Sequence, residues 1–326
     1  MKNSLVKHAK DVAKQKGFAI NKLLYQADYY TKDHPRNVIY DGIYQGNKAV
    51  LKVYSDPRVT DEPISLTAFN KANKSTILKA PAVFAYEIES PHTGWMIVEQ
   101  LPEGGHFFKT PLSLQSRDEF LSVYKEYKKN FPKKPTRPLR LAEYLPAEEF
   151  HHARIIRWFE LAHNKEAASK EQVLAPSEFI PRYLKALSLI EREFKGRKME
   201  WIHGHFKPAE LYKASNNTYY LLDFAHTHLF PEGYELAFMI WAELLKQGAD
   251  YKKSYSEWRE SIFEWVLVLE PIAKELGIKR YSDYMRAALT ERTLGTLLAD
   301  VTATDEKPHS KKEKIARLYH LLDDLS

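Results

Sequence analysis

Apolar and polar positions alternate along Asn37–Tyr44 (NVIYDGIY) and Lys48–Tyr54 (KAVLKVY), two runs that flank Gln45-Gly46-Asn47. A period of two places alternate side chains on opposite faces of a strand, and a Gly-Asn pair between such runs predicts a hairpin. Leu23–Tyr30 reads as a preceding strand. Asp61–Lys74 shifts to a helical period, with Asp61 positioned as N-cap and Pro63 in the first turn. Pro81–Glu89 and Gly94–Leu101 form a second strand pair around Ser90-Pro91-His92-Thr93. Leu5, Val6, Val12 and Ala13, within Met1–Gly17, mark an amphipathic surface helix. Residues 1–101 therefore predict an N-terminal helix, a five-stranded sheet and one further helix.

After Pro102-Glu103-Gly104-Gly105 the pattern becomes mainly helical. Ser116–Asn130, Ala147–Asn164, Pro176–Phe194, Tyr234–Gln247, Ser256–Leu276, Ser282–Asp300 and Ser310–Leu325 all follow a period of 3.6. Pro132, Pro135, Pro138 and Pro146 predict an ordered, non-helical connection. One β-like patch interrupts the helices: Trp201–Lys213, the turn Ala214-Ser215-Asn216-Asn217, then Tyr219–Phe224. Residues 102–326 thus read as a helical lobe with an embedded hairpin at 201–224.

Composition narrows the chemistry. The chain has 326 residues and no cysteine, which excludes thiol catalysis, cysteine-ligated zinc, iron–sulfur clusters and disulfides. Its apolar runs, Trp265–Leu269 among them, fall far short of the ~20 residues of a membrane span. No membrane span or targeting segment is expected, and a cytoplasmic location follows as the expectation. The net charge of +6 is a mild surplus. Lys125–Arg140 is locally basic, with Tyr124, Tyr127 and Phe131 interleaved, and reads as a charged surface loop. Nucleic acid is not an expected partner. Glycine is scarce, 12 residues where average usage of about 7% would give nearly twice as many.

The hairpin carries the chemistry. It reads Trp201-Ile202-His203-Gly204-His205-Phe206-Lys207-Pro208-Ala209-Glu210-Leu211-Tyr212, then Leu221-Leu222-Asp223-Phe224-Ala225. This resembles the catalytic loop and metal-binding strand end of the aminoglycoside phosphotransferase and choline kinase-like family, whose usual run is His-Gly-Asp-Leu-His-Pro-Gly-Asn followed by Ile-Asp-Phe/Trp. His203, Gly204, Pro208 and Asp223 match with the spacing kept. Phe230–Phe238 resembles the family's Pro-x-x-x-Asp-Leu-Ala helix start, with Glu235 in place of Asp. Lys52, in Ala49-Val50-Leu51-Lys52-Val53, resembles the nucleotide-binding strand lysine. The resemblance spans roughly Asn37 to Trp241. It implies an α+β, two-lobed protein-kinase-like fold, with a small antiparallel-sheet N-lobe and a larger, mainly helical C-lobe.

For function, the resemblance implies ATP-dependent phosphoryl transfer to a hydroxyl of an unknown small-molecule acceptor, with ATP and Mg2+ as cofactors. Lys52 would hold phosphates and Glu62 would orient Lys52. Backbone groups at Glu99 and Leu101 would meet adenine. Asp223, with Glu210 in place of the family's Asn, would hold magnesium, a hard cation that prefers oxygen. His205 stands where the family has its catalytic-base Asp, and Lys207 is placed to offset phosphoryl charge. The two replacements leave a pseudokinase open, one that binds nucleotide or a partner protein without transfer. The Thr31–Arg36 connection lacks the glycines that bring backbone N–H groups against phosphates, although Lys32 or Arg36 could reach phosphate through side chains. A third reading joins His203-x-His205 and His226-x-His228 around Asp223 as a transition-metal site, because residues i and i+2 of an extended segment face one side.

Overall fold

The computed structural model of the chain describes residues 2–27, 36–56, 61–107, 114–170, 172–241, 253–304 and 308–326. Its internal contacts separate two compact units. The first joins Met1–Pro138 to Trp201–His228, and the second joins Leu139–Glu200 to Leu229–Ser326.

The first unit opens with helix α1 (Lys2–Lys16) and strand β1 (Phe18–Ala27). Strand β2 (Asn37–Tyr44) and strand β3 (Asn47–Tyr54) follow as the predicted hairpin, paired from Asn37↔Tyr54 to Tyr44↔Asn47. Gln45 and Gly46, with φ of 50° and 80°, form its two-residue loop. Left-handed φ at both loop positions matches the twist of the flanking strands. Strand β1 begins at Phe18 rather than Leu23, because pairing with β2 continues to Phe18↔Tyr44. The sequence expectation for its far end, at Tyr30, lies outside the described residues. Helix α2 (Glu62–Ala72) leads to the short strand β4 (Leu78–Lys79), then β5 (Val83–Ser90) and β6 (Thr93–Glu99). The expected five-stranded sheet is present in the order β1-β2-β3-β6-β5. The apolar stripe of α1, led by Leu5, Ala9, Val12 and Ala13, is buried in one cluster with Val38, Leu51 and Ile97 of the sheet.

A second sheet is built on the predicted hairpin, whose paired strands become its centre, while its two outer strands had no counterpart in the sequence pattern. Strand β7 (Gly104–His106) pairs with β9 (Leu211–Ala214), which pairs with β10 (Tyr219–Leu221), and β10 runs parallel to β4. Strands of two or three residues are too short for periodicity to register. Gly104 permits the β7–β9 contact: a Cβ there would stand 2.7 Å from the Cα of Ala214. These pairings tie the 201–224 hairpin to the sheet-bearing unit, whereas the composition change at residue 102 had grouped it with the helices.

Helix α3 (Leu114–Asn130) buries Phe120, Tyr124 and Tyr127. The aromatics expected on a charged surface loop are core residues: Tyr127 stacks on Phe206 with ring centroids 4.5 Å apart, and Tyr124 lies 5.2 Å from the same ring. Arg137, from the same basic stretch, is buried against Asp61 at 2.9 Å.

The second unit holds α4 (Ala147–Ser169), α5 (Pro176–Phe194), α6 (234–241), α7 (Tyr255–Glu275), α8 (Tyr281–Gly295) and α9 (Pro308–Leu325). Strand β8 (Met199–Ile202) and strand β11 (His228–Pro231) pair in a two-stranded sheet. The helix expected over Ser282–Asp300 is α-helical only to Gly295; Thr296–Thr302 continues as a π-helical segment. The expected far end of α6, at Gln247, lies outside the described residues. A buried charge network centres on Glu291, with His151 at 2.8 Å and Arg154 at 3.1 Å, and the Tyr234 hydroxyl donates to the same carboxylate. Among the described residues, no helix is long and apolar enough to cross a membrane.

Candidate functional site

Lys52, on β3, pairs with Met96 of β6 and Ile39 of β2 across the sheet. Its ammonium forms an ion pair with the carboxylate of Glu62 at the start of α2. Both side chains are almost wholly enclosed, at 12% and 5% exposure. Burial alone would lower the Lys52 pKa, but Glu62, Asp223 and Glu210 together hold it above the ordinary lysine value. The ammonium therefore stays charged, facing three carboxylates.

The hairpin supplies two of those carboxylates, Glu210 and Asp223. After β8 the chain passes through Gly204, whose φ of +79° falls in the left-handed region that glycine tolerates. His203 is fully buried, and its ring meets Phe224 edge-on at 4.9 Å with Tyr127 and Phe131 nearby. Burial pushes its pKa down to about 3, so it is a neutral core residue. Its backbone N–H donates to the Tyr127 hydroxyl at 2.8 Å, which anchors the loop to α3. Pro208–Glu210 forms a 3-10 turn, and the Leu222 N–H donates to the Glu210 carbonyl at 2.9 Å. That bond holds Glu210 beside the end of β10.

Asp223 follows β10 with φ 59° and ψ 58°. A left-handed non-glycine residue is uncommon and concentrates at functional sites. This turn starts the 3-10 segment Phe224–His226, which carries His226 back toward Asp223. The His226 Nε2 lies 3.6 Å and the His205 Nδ1 3.8 Å from the same Asp223 Oδ2. The two imidazoles stack with centroids 3.5 Å apart and planes 17° from parallel. Burial alone would raise the Asp223 carboxyl, but His226, His205 and Lys52 outweigh it and hold the group well below the usual carboxylate range. Burial and the neighbouring His226 push His205 well below the ordinary histidine value.

Lys207 Nζ stands 3.3 Å from Glu210 Oε1. Burial and the Asp223 charge raise the Glu210 carboxyl to about 7, against the pull of Lys207 and Lys52. Two carboxylates that repel in one enclosed place are the donor set a hard divalent cation would satisfy.

Lys52, Glu62, Glu210 and Asp223 thus share one electrostatic site, with His205 and Lys207 on the same hairpin. At the end of β6, the Glu99 N–H donates to the Ala82 carbonyl at 2.8 Å and the Gln100 N–H to the Lys48 carbonyl at 3.3 Å. Leu101 follows in the connector. The glycine-poor Thr31–Arg36 connection lies outside the described residues up to Pro35; Arg36 itself pairs with Asp56. The four-histidine arrangement does not form. His203 points into the aromatic core, and the left-handed Gly204 between His203 and His205 breaks the extended backbone that the i, i+2 rule needs. His226 lies in a 3-10 turn while His228 begins a strand. His226 as a neighbour of His205 was not predicted as a single pair, because the left-handed turn at Asp223 leaves no mark in hydrophobic spacing.

An antiparallel sheet with a lysine–glutamate pair, followed by a hairpin and a helical part, is the kinase-like fold. Among solved structures the chain is similar to a thermostable variant of the aminoglycoside phosphotransferase APH(4)-Ia in complex with AMP-PNP and hygromycin B, with 14% identity, 98% of this chain and 97% of that chain covered, and a TM-score of 0.60. It is also similar to spectinomycin phosphotransferase APH(9)-Ia in complex with ADP and spectinomycin (10% identity, 98% of each chain, TM-score 0.53). A third is Plasmodium vivax ethanolamine kinase (12% identity, 91% of this chain and 81% of that chain, TM-score 0.51). No protein-family profile and no curated protein sequence matches the chain.

Proposed function

We propose that this protein is a nucleotide-binding phosphotransferase of the kinase-like fold, which transfers a phosphoryl group from ATP to a hydroxyl of a small-molecule acceptor. The observation that carries this reading is the enclosed Lys52–Glu62 pair, whose ammonium is held charged by Asp223 and Glu210 of the hairpin. A buried ion pair is a weak source of stability, but a fixed cation suits a polyphosphate. Structures of the same fold hold ADP or AMP-PNP.

In this reading Lys52 neutralises phosphate oxygens, and Glu62 keeps the ammonium in place. Asp223 and Glu210 would hold Mg2+, which supplies charge neutralisation along the phosphates. Lys207, beside Glu210, would offset charge on the transferring group. His205 is neutral at physiological pH and accepts the acceptor's hydroxyl proton. Backbone groups at Glu99–Leu101 meet the adenine. A cysteine-free, ATP-dependent enzyme suits the cytoplasm.

A second reading is supported by one contact. The His205 ring is stacked on His226 and faces Asp223, an arrangement that occupies the base and favours a pseudokinase that binds nucleotide, or a partner protein, without transfer. Turnover of ATP across a panel of hydroxylated metabolites separates the two. Transfer that is lost in His205→Ala while ATP binding persists supports the phosphotransferase; ATP binding with no transfer to any acceptor supports the pseudokinase.

A further inference from the structure

Two side chains of the hairpin and one of the 3-10 turn after it converge in a way phosphoryl transfer does not require. One ligand atom from each of His205, Asp223 and His226 lies within 4.8 Å of the other two. Each of the two imidazole nitrogens stands within 4 Å of the same carboxylate oxygen, at 3.8 and 3.6 Å. We infer that His205, Asp223 and His226 form a binding site for a divalent transition metal of the zinc class, with two imidazole nitrogens and one carboxylate oxygen as ligands.

The donor set selects the metal. Imidazole nitrogen suits zinc and other first-row transition ions, whereas magnesium prefers oxygen throughout. Zinc bonds of about 2.0–2.1 Å in tetrahedral geometry set neighbouring ligand atoms about 3.3 Å apart. The observed 3.6 and 3.8 Å separations from Oδ2 lie within about 0.5 Å of that edge. The octahedral edge at the same bond length is shorter, about 2.9 Å, and fits less well. The stacked rings point their lone pairs along parallel planes, so chelation turns His226 out of the stack until both nitrogens meet one ion. His226 can make that movement, since its side chain is 27% exposed. Three protein ligands leave a fourth position for water or a ligand oxygen, the pattern of a catalytic rather than a structural zinc.

The backbone supports the arrangement. The left-handed conformation of Asp223 starts the 3-10 turn that returns His226 to the carboxylate three residues before it. Gly204, also left-handed, lets His203 turn into the core while His205 emerges toward Asp223. Neither feature depends on nucleotide, so zinc binding is testable without ATP, although a zinc ion here would engage His205 and Asp223, the residues to which phosphoryl transfer assigns the proton acceptor and a Mg2+ ligand.

The test is direct binding of zinc and cobalt(II) to the full chain after chelator treatment, without nucleotide. One equivalent of zinc per chain is expected, with visible absorption from the cobalt(II)-loaded chain that marks four-coordination. His205→Gln and His226→Gln should each weaken zinc at least about 100-fold, while His228→Gln should bind as the unmodified chain does. Circular dichroism melts establish that each variant is folded. No stoichiometric uptake by the unmodified chain overturns the inference whatever the variants do. Uptake unchanged in a folded His226→Gln overturns it as well. ATP affinity is measured on the same metal-free preparation: ATP binding without zinc uptake defeats the metal site alone, and zinc uptake without ATP binding defeats the nucleotide reading alone.

Discussion

The ammonium of Lys52 and the carboxylate of Glu62 form an ion pair inside the sheet-bearing unit, with little contact to solvent. Removing one partner of such a pair leaves the other charge buried, a loss of about 3–5 kcal/mol. Glu62→Gln should therefore destabilise the protein by about that amount in urea unfolding, and weaken ATP as Lys52 loses its orientation. Replacing both residues together, as Lys52→Met with Glu62→Leu, should recover most of the stability and none of the ATP binding.

Glu210 makes stability depend on pH in a distinct direction. Its carboxyl is raised from 4.5 to about 7, so the folded chain holds a proton there that the unfolded chain has lost. A raised pKa contributes stability below the unfolded value, and that contribution fades as pH climbs through the folded value. Between about pH 4.5 and 7 this group alone costs up to about 3 kcal/mol. Glu210→Gln should match the unmodified chain near pH 4.5 and exceed its stability at about pH 8. Added Mg2+ should narrow that gap, because a cation between Glu210 and Asp223 removes the repulsion. Urea midpoints across pH, with and without Mg2+, measure both effects.

The helical unit should fail on the acid side. Burial, against the pull of Glu291, lowers His151 to about 4; Arg154 and His151 outweigh burial and lower Glu291 to about 2. Both groups are depressed relative to their unfolded values. Each contribution is complete above the unfolded value and is lost as pH falls, from 6.5 toward 4 for His151 and from 4.5 toward 2 for Glu291. Acid titration followed by tryptophan fluorescence should show this loss. Glu291→Gln should destabilise at neutral pH by about 3–5 kcal/mol, since Arg154 is left with a buried charge.

His205 gives a prediction for rate. Its depressed pKa keeps the imidazole neutral well into the acid range. The pH profile of turnover should therefore show no inflection near 6.5, where an unperturbed histidine titrates. His205→Ala should lower turnover about 10²–10⁴-fold and leave ATP affinity nearly unchanged. An inflection at the ordinary histidine value would contradict the assigned environment.

The sheet strands and most helix boundaries were legible because they are long enough for a period to declare itself. Pro176–Phe194 matches α5 at both ends, and the Gln45–Gly46 loop was marked by its glycine. Strand β4, strand β7 and the π-helical Thr296–Thr302 were not legible, since two or three residues carry no period and seven residues buried almost throughout mark no face. In the site, Lys52, Glu62, Glu210 and Asp223 were identified through resemblance and spacing, and the structure places them in mutual electrostatic contact. The sequence joined His205 and His226 around Asp223 only as part of a four-histidine set; their direct stacking could not be read in advance, because it depends on the left-handed turn at Asp223 rather than on any repeating pattern.

The central claim is that Lys52 and the hairpin carboxylates bind the phosphates of ATP with Mg2+. Isothermal titration calorimetry of ATP, with and without Mg2+, on the unmodified chain and on Lys52→Met and Asp223→Asn tests it most directly. The account predicts one Mg2+-dependent site per chain, with affinity lost in Lys52→Met and the Mg2+ dependence lost in Asp223→Asn. Absence of ATP binding to the unmodified chain, or equal binding in Lys52→Met, would contradict it.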